Sequence, residues 1–467
     1  MGYFDYSREP KSDIAFVDMK SFYASVECVK RGLHPLKTSL CVMSRADNST
    51  GLILASSPLF KKIFGKSNVG RAYDLPFDIE TRKFSYYNAR KQGLPTDSDY
   101  VRYIEDWAQV TLIVPPRMDE YIAVNMEIQR IFQNYGSPDD IYSYSIDEGF
   151  IDLTSSLNYF IPDKSLSRKD KLDLLSARIQ RDIWRQTGIY STVGMSNANP
   201  LLAKLALDNE AKHTPTMRAN WSYQDVEEKV WAIPKMTDFW GIGSRMEKRL
   251  HTLGIYSIKE LATSNPDQLK KALGQAGLRL WFHANGIDES NVHKPYKAKS
   301  QGLGNSQILP RDYVKLRDIE MILREMAEQV AIRLRRAGKK TTLVSIYVGF
   351  SKEEVRPSIH TQMKVEPTNN TAILTDYVLK LFHNKYTSGA VRSVGVNYSG
   401  FVDESFGLIS LFDDVDKLEK EERLQTAIDS IRQQFGFTSL LKANALEEAS
   451  RSLARSKLIG GHSAGGL

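Results

Sequence analysis

The stretch YSYSIDEGFIDLT, residues 142–154, sets Asp147 beside Glu148 between runs of β-forming residues. Asp-Glu-Gly is turn chemistry, so the local reading is a hairpin with a polar tip. Two adjacent carboxylates at the edge of a hydrophobic sheet restrict the fold further. Bare, they repel one another and take up protons; beside a divalent cation they become ligands. A third oxygen ligand is available earlier in the chain. IAFVDM, residues 14–19, reads as a buried strand carrying Asp18 near its end, and SFYASVECVKRG as the helix after it, capped by Ser21. Strand ends of one sheet lie close together, so Asp18, Asp147 and Glu148 are expected to face one another. Oxygen ligands with open positions suit Mg²⁺, which shares its shell with substrate phosphates. Two such ions about 4 Å apart clamp the attacking and leaving oxygens of a phosphoryl transfer.

Phosphates also need donors. Lys62 follows Ser56 and Ser57 on a short helix opened by Pro58 and stopped at Gly65, and Lys204 follows the Asn199-Pro200 helix start. Both are within reach of a triphosphate, and the backbone amides of Phe22 and Tyr23 at a helix start add to them. A single lysine is more often a solvated surface charge. There is no Gly-rich Lys loop of the Walker type, which argues against a P-loop enzyme.

The 467 residues correspond to about three or four domains. With 42% hydrophobic and 25% charged residues the bulk is expected to be globular. No apolar run is long enough to span a bilayer and the N-terminus has no apolar signal core, so a cytoplasmic protein without membrane contact is expected. Cys28 and Cys41 have no metal-type spacing and read as packing residues. Residues 291–360 hold 14 Lys or Arg against 7 Asp or Glu, which equals the chain's whole net charge of +7. Such confinement suggests one surface facing a polyanion, with a solvated basic helix as the plainer alternative.

Strand, helix, hairpin, helix and strand over the first 200 residues read as an α+β layer with helices on one face of a sheet. Residues 75–110 are polar, Tyr-rich and weakly periodic, and read as an insertion. Residues 226–290 read as helical. There FWGIGSRMEKRLHTLGIYSIKELA, residues 239–262, has the pattern of a helix-hairpin-helix, whose Gly241–Gly243–Ser244 turn offers backbone N–H groups to a phosphate without reading sequence. An ordinary Gly-rich turn is the alternative. After a Lys-, Ser- and Gly-rich linker the order is βαββαβ, a split βαβ unit. In it AIRLRRAGKK puts Arg333, Arg335, Arg336, Lys339 and Lys340 beside a sheet edge, where the backbone of a duplex is the natural partner.

Taken together, IAFVDMKSFYASVE and YSIDEGFIDLT resemble the Y-family translesion DNA polymerases, in particular the UmuC-type branch of Gram-positive bacteria and mobile elements. The resemblance covers about residues 12–415. It implies a multidomain α+β right-hand polymerase: palm and fingers over 12–225 (fingers about 30–110), a helix-hairpin-helix thumb over 226–290, a linker over 291–304, a βαββαβ little finger over 305–415, and C-terminal helices with a flexible tail over 416–467. It implies that Asp18, Asp147, Glu148 and the Met19 carbonyl hold two Mg²⁺, with Mn²⁺ able to substitute. Tyr23 corresponds to the steric gate that excludes a ribonucleotide 2′-OH, and Phe22, Ser56, Lys62 and Lys204 to nucleotide-binding positions. Leu59 departs from the Tyr many relatives have near the phosphates. GLISLFDD, residues 407–414, is similar to the bacterial sliding-clamp peptide, with Ile409, Leu411 and Phe412 as anchors and Leu408 where Gln is usual. An apolar segment packing on its own domain is the alternative there.

The implied activity is error-prone, template-directed DNA synthesis opposite damaged template, in DNA repair and an SOS-type response. Its partners are primer-template DNA, dNTPs, the clamp and accessory SOS proteins, with the chain itself a monomer. Two other readings of the residues are a DNA-binding scaffold that recruits other polymerases and a nucleotidyl transferase restricted to one nucleotide.

Overall fold

The computed structural model describes residues 4–44, 51–65, 70–294, 301–405 and 415–465. The chain divides into two compact units. One comprises residues 1–296 with 462–467, the other 297–461.

In the first unit the buried run predicted at residue 14 is β1 (Ile14–Met19), and α1 (Phe22–Val29) follows it. β2 (Leu40–Met43) and β3 (Ile53–Ser56) pair antiparallel and lead to α2 (Pro58–Phe64). Pro58 occupies the first turn of α2 and Gly65 ends it at φ +64°, as the sequence indicates, and Ser57 caps it through the Phe60 N–H. The Tyr-rich segment is ordered: α3 (Tyr86–Lys91) and α4 (Ser98–Val110) enclose a core of Phe60, Phe64, Phe77, Ile104 and Ala108. α4 supplies Ile104 and Ala108 from one helical face, while Phe77 and Phe84 come from the irregular chain before α3. β4 (Leu112–Val114) lies parallel to β2 and completes a small three-stranded sheet.

α5 (Met118–Phe132) comes next, then the hairpin of β5 (Ile141–Ser143) and β6 (Glu148–Asp152), which leaves Asp147 in the turn. The chain continues through α6 (Leu157–Phe160), α7 (Arg168–Thr187), β7 (Ser191–Ser196), α8 (Pro200–Asn209) and β8 (Arg218–Asn220). The main sheet has the order β5-β6-β1-β7-β8. β1 is central, antiparallel to both neighbours, so its two faces need separate cover. Ala15, Val17 and Met19 pack in the core that also holds Tyr121 of α5 and Leu172 and Ile179 of α7. Ile14 and Phe16 pack on the opposite face, with Ala203 and Leu207 of α8. Helices therefore cover both faces rather than the one expected. The continuous burial of β1 is the physical counterpart of its unbroken apolar sequence. α8 approaches so closely that a Cβ on Gly194 would lie 2.0 Å from the Ala203 carbonyl oxygen. Glycine is required there by space alone.

The rest of this unit is helical: α9 (Ser244–Thr252), α10 (Ile258–Thr263), α11 (Pro266–Leu273) and α12 (Gln275–Ala284) surround Phe239, Ile242, Leu250 and Leu261. The C-terminal tail, expected to be a free end, is tied down here. Ala464 accepts the Asp119 N–H at 3.0 Å, and Gly465 lies against Arg117 so tightly that a Cβ would clash.

The second unit contains β9 (Gly302–Tyr313), α13 (Leu316–Arg336), β10 (Lys339–Phe350), β11 (Ile359–Thr368), α14 (Thr371–His383) and β12 (Val391–Asp403). Strand order is β11-β10-β12-β9, antiparallel throughout. β9 and β10 thus run parallel with β12 between them, the split βαβ arrangement expected. α13 and α14 cover one face through Val344, Ile346, Val394 and Val396. α15 (Val415–Phe435) is fastened to the helices by Arg335–Asp429, Arg432–Glu328 and Thr371–Gln425 contacts.

Candidate active site

β1 ends in a register that sets Asp18 directly opposite Glu148, with the Met19 N–H donating to the Asp147 carbonyl at 2.9 Å. Like charges facing each other across a ladder are destabilising and need an answer. Two lysines supply it. Lys204 Nζ lies 2.8 Å from Glu148 Oε2 and 3.3 Å from Asp208, and Lys212 Nζ lies 3.4 Å from Asp18 and 2.8 Å from Asp208. Asp18, Asp147 and Glu148 share this sheet edge, although among the described residues no three His, Cys, Asp or Glu side chains are gathered into a metal-holding cluster. Glu148 is drawn to Lys204, while Asp147 accepts from the Ser145 hydroxyl at 2.7 Å.

The electrostatics nevertheless match a cation. Burial pushes the Asp18 carboxyl up to about 6; Lys212 opposes this, and Glu148 and Asp147 reinforce it. Asp147 is also raised, first by burial and then by Glu148. Desolvated carboxylates with oxygen as their only donor atom are the ligand set of a hard divalent ion. The residues therefore fit the metal ions that such a site implies.

Around Asp18, Met19 and Asp147 opens a pocket of about 720 Å³, bordered by Phe22, Tyr23, Ser56, Lys61 and Lys212. Ser21 was expected to cap α1. Instead it adopts the left-handed region, φ +50° and ψ +50°, with no side-chain cap bond, and its hydroxyl receives the Lys61 ammonium at 3.1 Å. A non-glycine residue in that region is strained, and here the strain turns the start of α1 toward the carboxylates. Of the two adjacent lysines on α2, Lys61 enters the pocket and Lys62 is exposed. Phe60, Ile63 and Phe64 are the buried positions of that helix, which leaves residue 62 on its solvent side. Lys204 differs in another way: its Nζ is committed to Glu148 and lies 4.5 Å from the Phe16 ring centre, so it is part of the carboxylate network. Lys61 and Lys212 are the cations that sequence reasoning missed. The signal for Lys212 was the Lys204–Asp208–Lys212 spacing, which repeats at each helical turn.

Other expected contact residues fall into two groups. Gly241 has φ +97°, and Gly243 starts α9 with no side-chain cap, so the turn through exposed Ser244 leaves backbone donors available while Ile242 anchors it in the core. In the second unit, Arg336 is exposed, exposed Arg333 donates to the Gly304 carbonyl, and Lys339 pairs with Asp403. Lys340 is half-buried. Arg335 is not a surface cation. Only 13% of its side chain is exposed, and it binds Asp429, the Asn369 carbonyl and Thr371, holding α15 in place. The sequence also missed a polar sheet face opposite α13 and α14, where Ser345, Tyr347, His360, Gln362 and Asn397 border an open pocket. Its signal was the alternation over Val344-Ser345-Ile346-Tyr347-Val348. Leu408, Ile409, Leu411 and Phe412 lie outside the described residues.

Comparison with known proteins decides the family. Residues 84–208 match the impB/mucB/samB family, residues 300–411 its C-terminal domain, and residues 223–255 its HHH motif. The chain is 35% identical to the putative UV-damage repair protein UvrX of Bacillus subtilis (strain 168), over 98% of this chain and 99% of that one. The chain belongs to the Y family of translesion DNA polymerases, in its UmuC-type branch. DNA polymerase IV 2 of the same organism is 31% identical over 96% of this chain and 98% of its own length. A solved Y-family DNA polymerase chimera shares the fold at TM-score 0.58 and 20% identity, covering 84% of this chain and 99% of that one. This Y-family chain is a DNA-directed DNA polymerase, and divalent-metal dependence comes with the family. Among the described residues no helix is long and apolar enough to cross a membrane.

Proposed function

We propose that the pocket at the end of β1 is where this polymerase joins a primer 3′-OH to the α-phosphate of a dNTP, opposite damaged as well as intact template. One observation carries the assignment: Asp18, Asp147, Tyr23, Ser56, Lys61 and Lys212 all border the same space. Asp18, Asp147, Glu148 and the Met19 carbonyl are the groups that would hold two Mg²⁺. When bound, these ions neutralise charge on the attacking and leaving oxygens of an in-line displacement. Lys61 and Lys212 bind the triphosphate, with the Ser56 hydroxyl and the Phe22 and Tyr23 amides as further donors. Lys204 keeps Glu148 oriented. The Tyr23 ring stands against the sugar and leaves no room for a 2′-OH. The protein's contribution is thus positioning together with fixed charge.

Primer-template DNA is held without sequence readout. The Gly241–Ser244 turn offers backbone N–H groups to a phosphate, while Arg333, Arg336, Lys339, Lys340 and the polar sheet face follow the duplex backbone. GLISLFDD is the proposed sliding-clamp peptide, resting on its sequence alone, and accessory proteins of the damage response are further proposed partners. The test is primer extension with Mg²⁺ and four dNTPs on an undamaged and an abasic template. Extension on both that disappears in Asp147→Ala is expected. DNA binding with no extension by the wild type, even with a clamp added, would mean a scaffold instead.

A further inference from the structure

Tyr23 borders the pocket. One face of its ring lies almost flat on Tyr121 of α5, with ring centres 4.3 Å apart and planes inclined by 13°. Tyr121 is fully buried, and its hydroxyl donates to Glu27 Oε1 at 2.8 Å. Glu27 is on α1 four residues after Tyr23, so both side chains leave the same face of that helix and meet α5. The Glu27 carboxylate has 0% exposure. Arg117 grips it twice, Nε to Oε1 at 3.0 Å and Nη2 to Oε2 at 2.8 Å, and Arg31, just past the end of α1, binds it as well. Burial alone would raise this carboxyl; Arg117, Arg31 and Tyr121 outweigh it and hold Glu27 below the usual range.

A buried acceptor whose partners are all in place is rigid, because moving any member leaves a desolvated charge unpaired. That rigidity passes to the Tyr121 ring through its hydroxyl, and from there to Tyr23. We propose that Tyr121, anchored by Glu27, is a positioning residue for sugar selection, fixing how far the Tyr23 ring stands into the pocket. The proposal rests on the assignment of Tyr23 as the ring against the sugar. A purely structural network would predict lost stability on mutation. Only positioning predicts a changed choice between sugars.

The experiment compares kcat/KM for dCTP and CTP opposite template dG, using the full chain, alongside thermal melting of each variant. Tyr23→Ala is the control for the gate. Tyr121→Met keeps a large, unbranched apolar side chain but removes both the flat ring and the hydroxyl; Tyr121→Phe keeps the ring but releases it from Glu27. An aromatic pair of this kind supports about a tenfold effect, so Tyr121→Met is expected to lower the dCTP/CTP ratio by about tenfold. Tyr121→Phe, still stacked, should lower it by about threefold, with dCTP use itself changed less than the ratio. A wild-type ratio in either folded variant, beside a relaxed ratio in Tyr23→Ala, overturns the positioning role and leaves the gate intact. An unchanged ratio in Tyr23→Ala overturns the gate and this proposal with it. Should Tyr121→Met fail to fold, Tyr121→Phe decides.

Discussion

Replacing Lys61 with Ala is expected to damage nucleotide use severely, and replacing its neighbour Lys62 to leave it almost untouched. The two lysines have the same chemistry and differ only in the side of α2 from which they project. Lys61 is half-buried at the pocket, with its ammonium on the Ser21 hydroxyl, and burial lowers its pKa while Asp18 pulls it back up. A partly desolvated cation meeting a triphosphate makes a charge-assisted hydrogen bond, worth about 1.5–3 kcal/mol. Lys61→Ala should therefore lower kcat/KM for a dNTP by roughly 10- to 150-fold. Exposed Lys62 has no such contact, and a surface substitution there is worth within about 0.5 kcal/mol, roughly twofold. The assay is single-nucleotide incorporation at varied dNTP concentration, with thermal melts to confirm that both variants fold. Equal losses in the two variants, or a Lys61→Ala effect no larger than twofold, would refute this reading of α2.

Gly194→Ala should cost about 3 kcal/mol or more, because its Cβ meets the backbone of α8 and cannot be accommodated by a side-chain shift; an unchanged urea midpoint would contradict the close approach. Arg335→Ala should destabilise the second unit by about 1–3 kcal/mol by leaving Asp429 without its partner, with little change in the salt dependence of DNA binding, whereas Arg336→Ala should reduce that salt slope and leave stability intact. Opposite results for the two arginines would restore Arg335 as a DNA contact. Burial pushes the Cys28 thiol up to about 11 and Cys41 up to about 12, so neither is a thiolate near neutral pH. Labelling by a thiol reagent at pH 8 should track unfolding; rapid labelling of the native protein would show that these residues are accessible.

Features written in local sequence were legible before the structure. The buried run at β1, the hairpin at Asp147, the Ser57-Pro58 and Asn199-Pro200 helix starts and the βαββαβ order each depend on a few neighbouring residues. What escaped depends on which elements meet. Lys61 and Lys62 are indistinguishable until the packing of Phe60 and Phe64 fixes the rotation of α2. Arg335 reads as one of five clustered cations until α15 returns with Asp429. Ser21 is a favourable cap residue by composition, yet the turn after Met19 places it in the left-handed region, where its side chain cannot cap. Tyr121 and Glu27 carry no motif at all; they become visible only once α1 and α5 are laid side by side.

The cover on the far face of the sheet explains why packing and chemistry cannot be separated in this site. Phe16 and Asp18 leave the same face of β1, so whatever buries the first also borders the second. α8 buries Phe16 by lying directly on Gly194, and that contact fixes its height above the sheet. At that height Lys204 reaches Glu148 and passes over the Phe16 ring, while Asp208, one turn on, holds Lys204 and Lys212 together. Lys212 in turn reaches Asp18 at the pocket. A helix lifted by a single methyl group would carry Lys204 away from Glu148, and Asp208 away from Lys212, which lies just past the end of α8. The missing side chain at residue 194 is therefore as much a part of the charge arrangement as the lysines themselves.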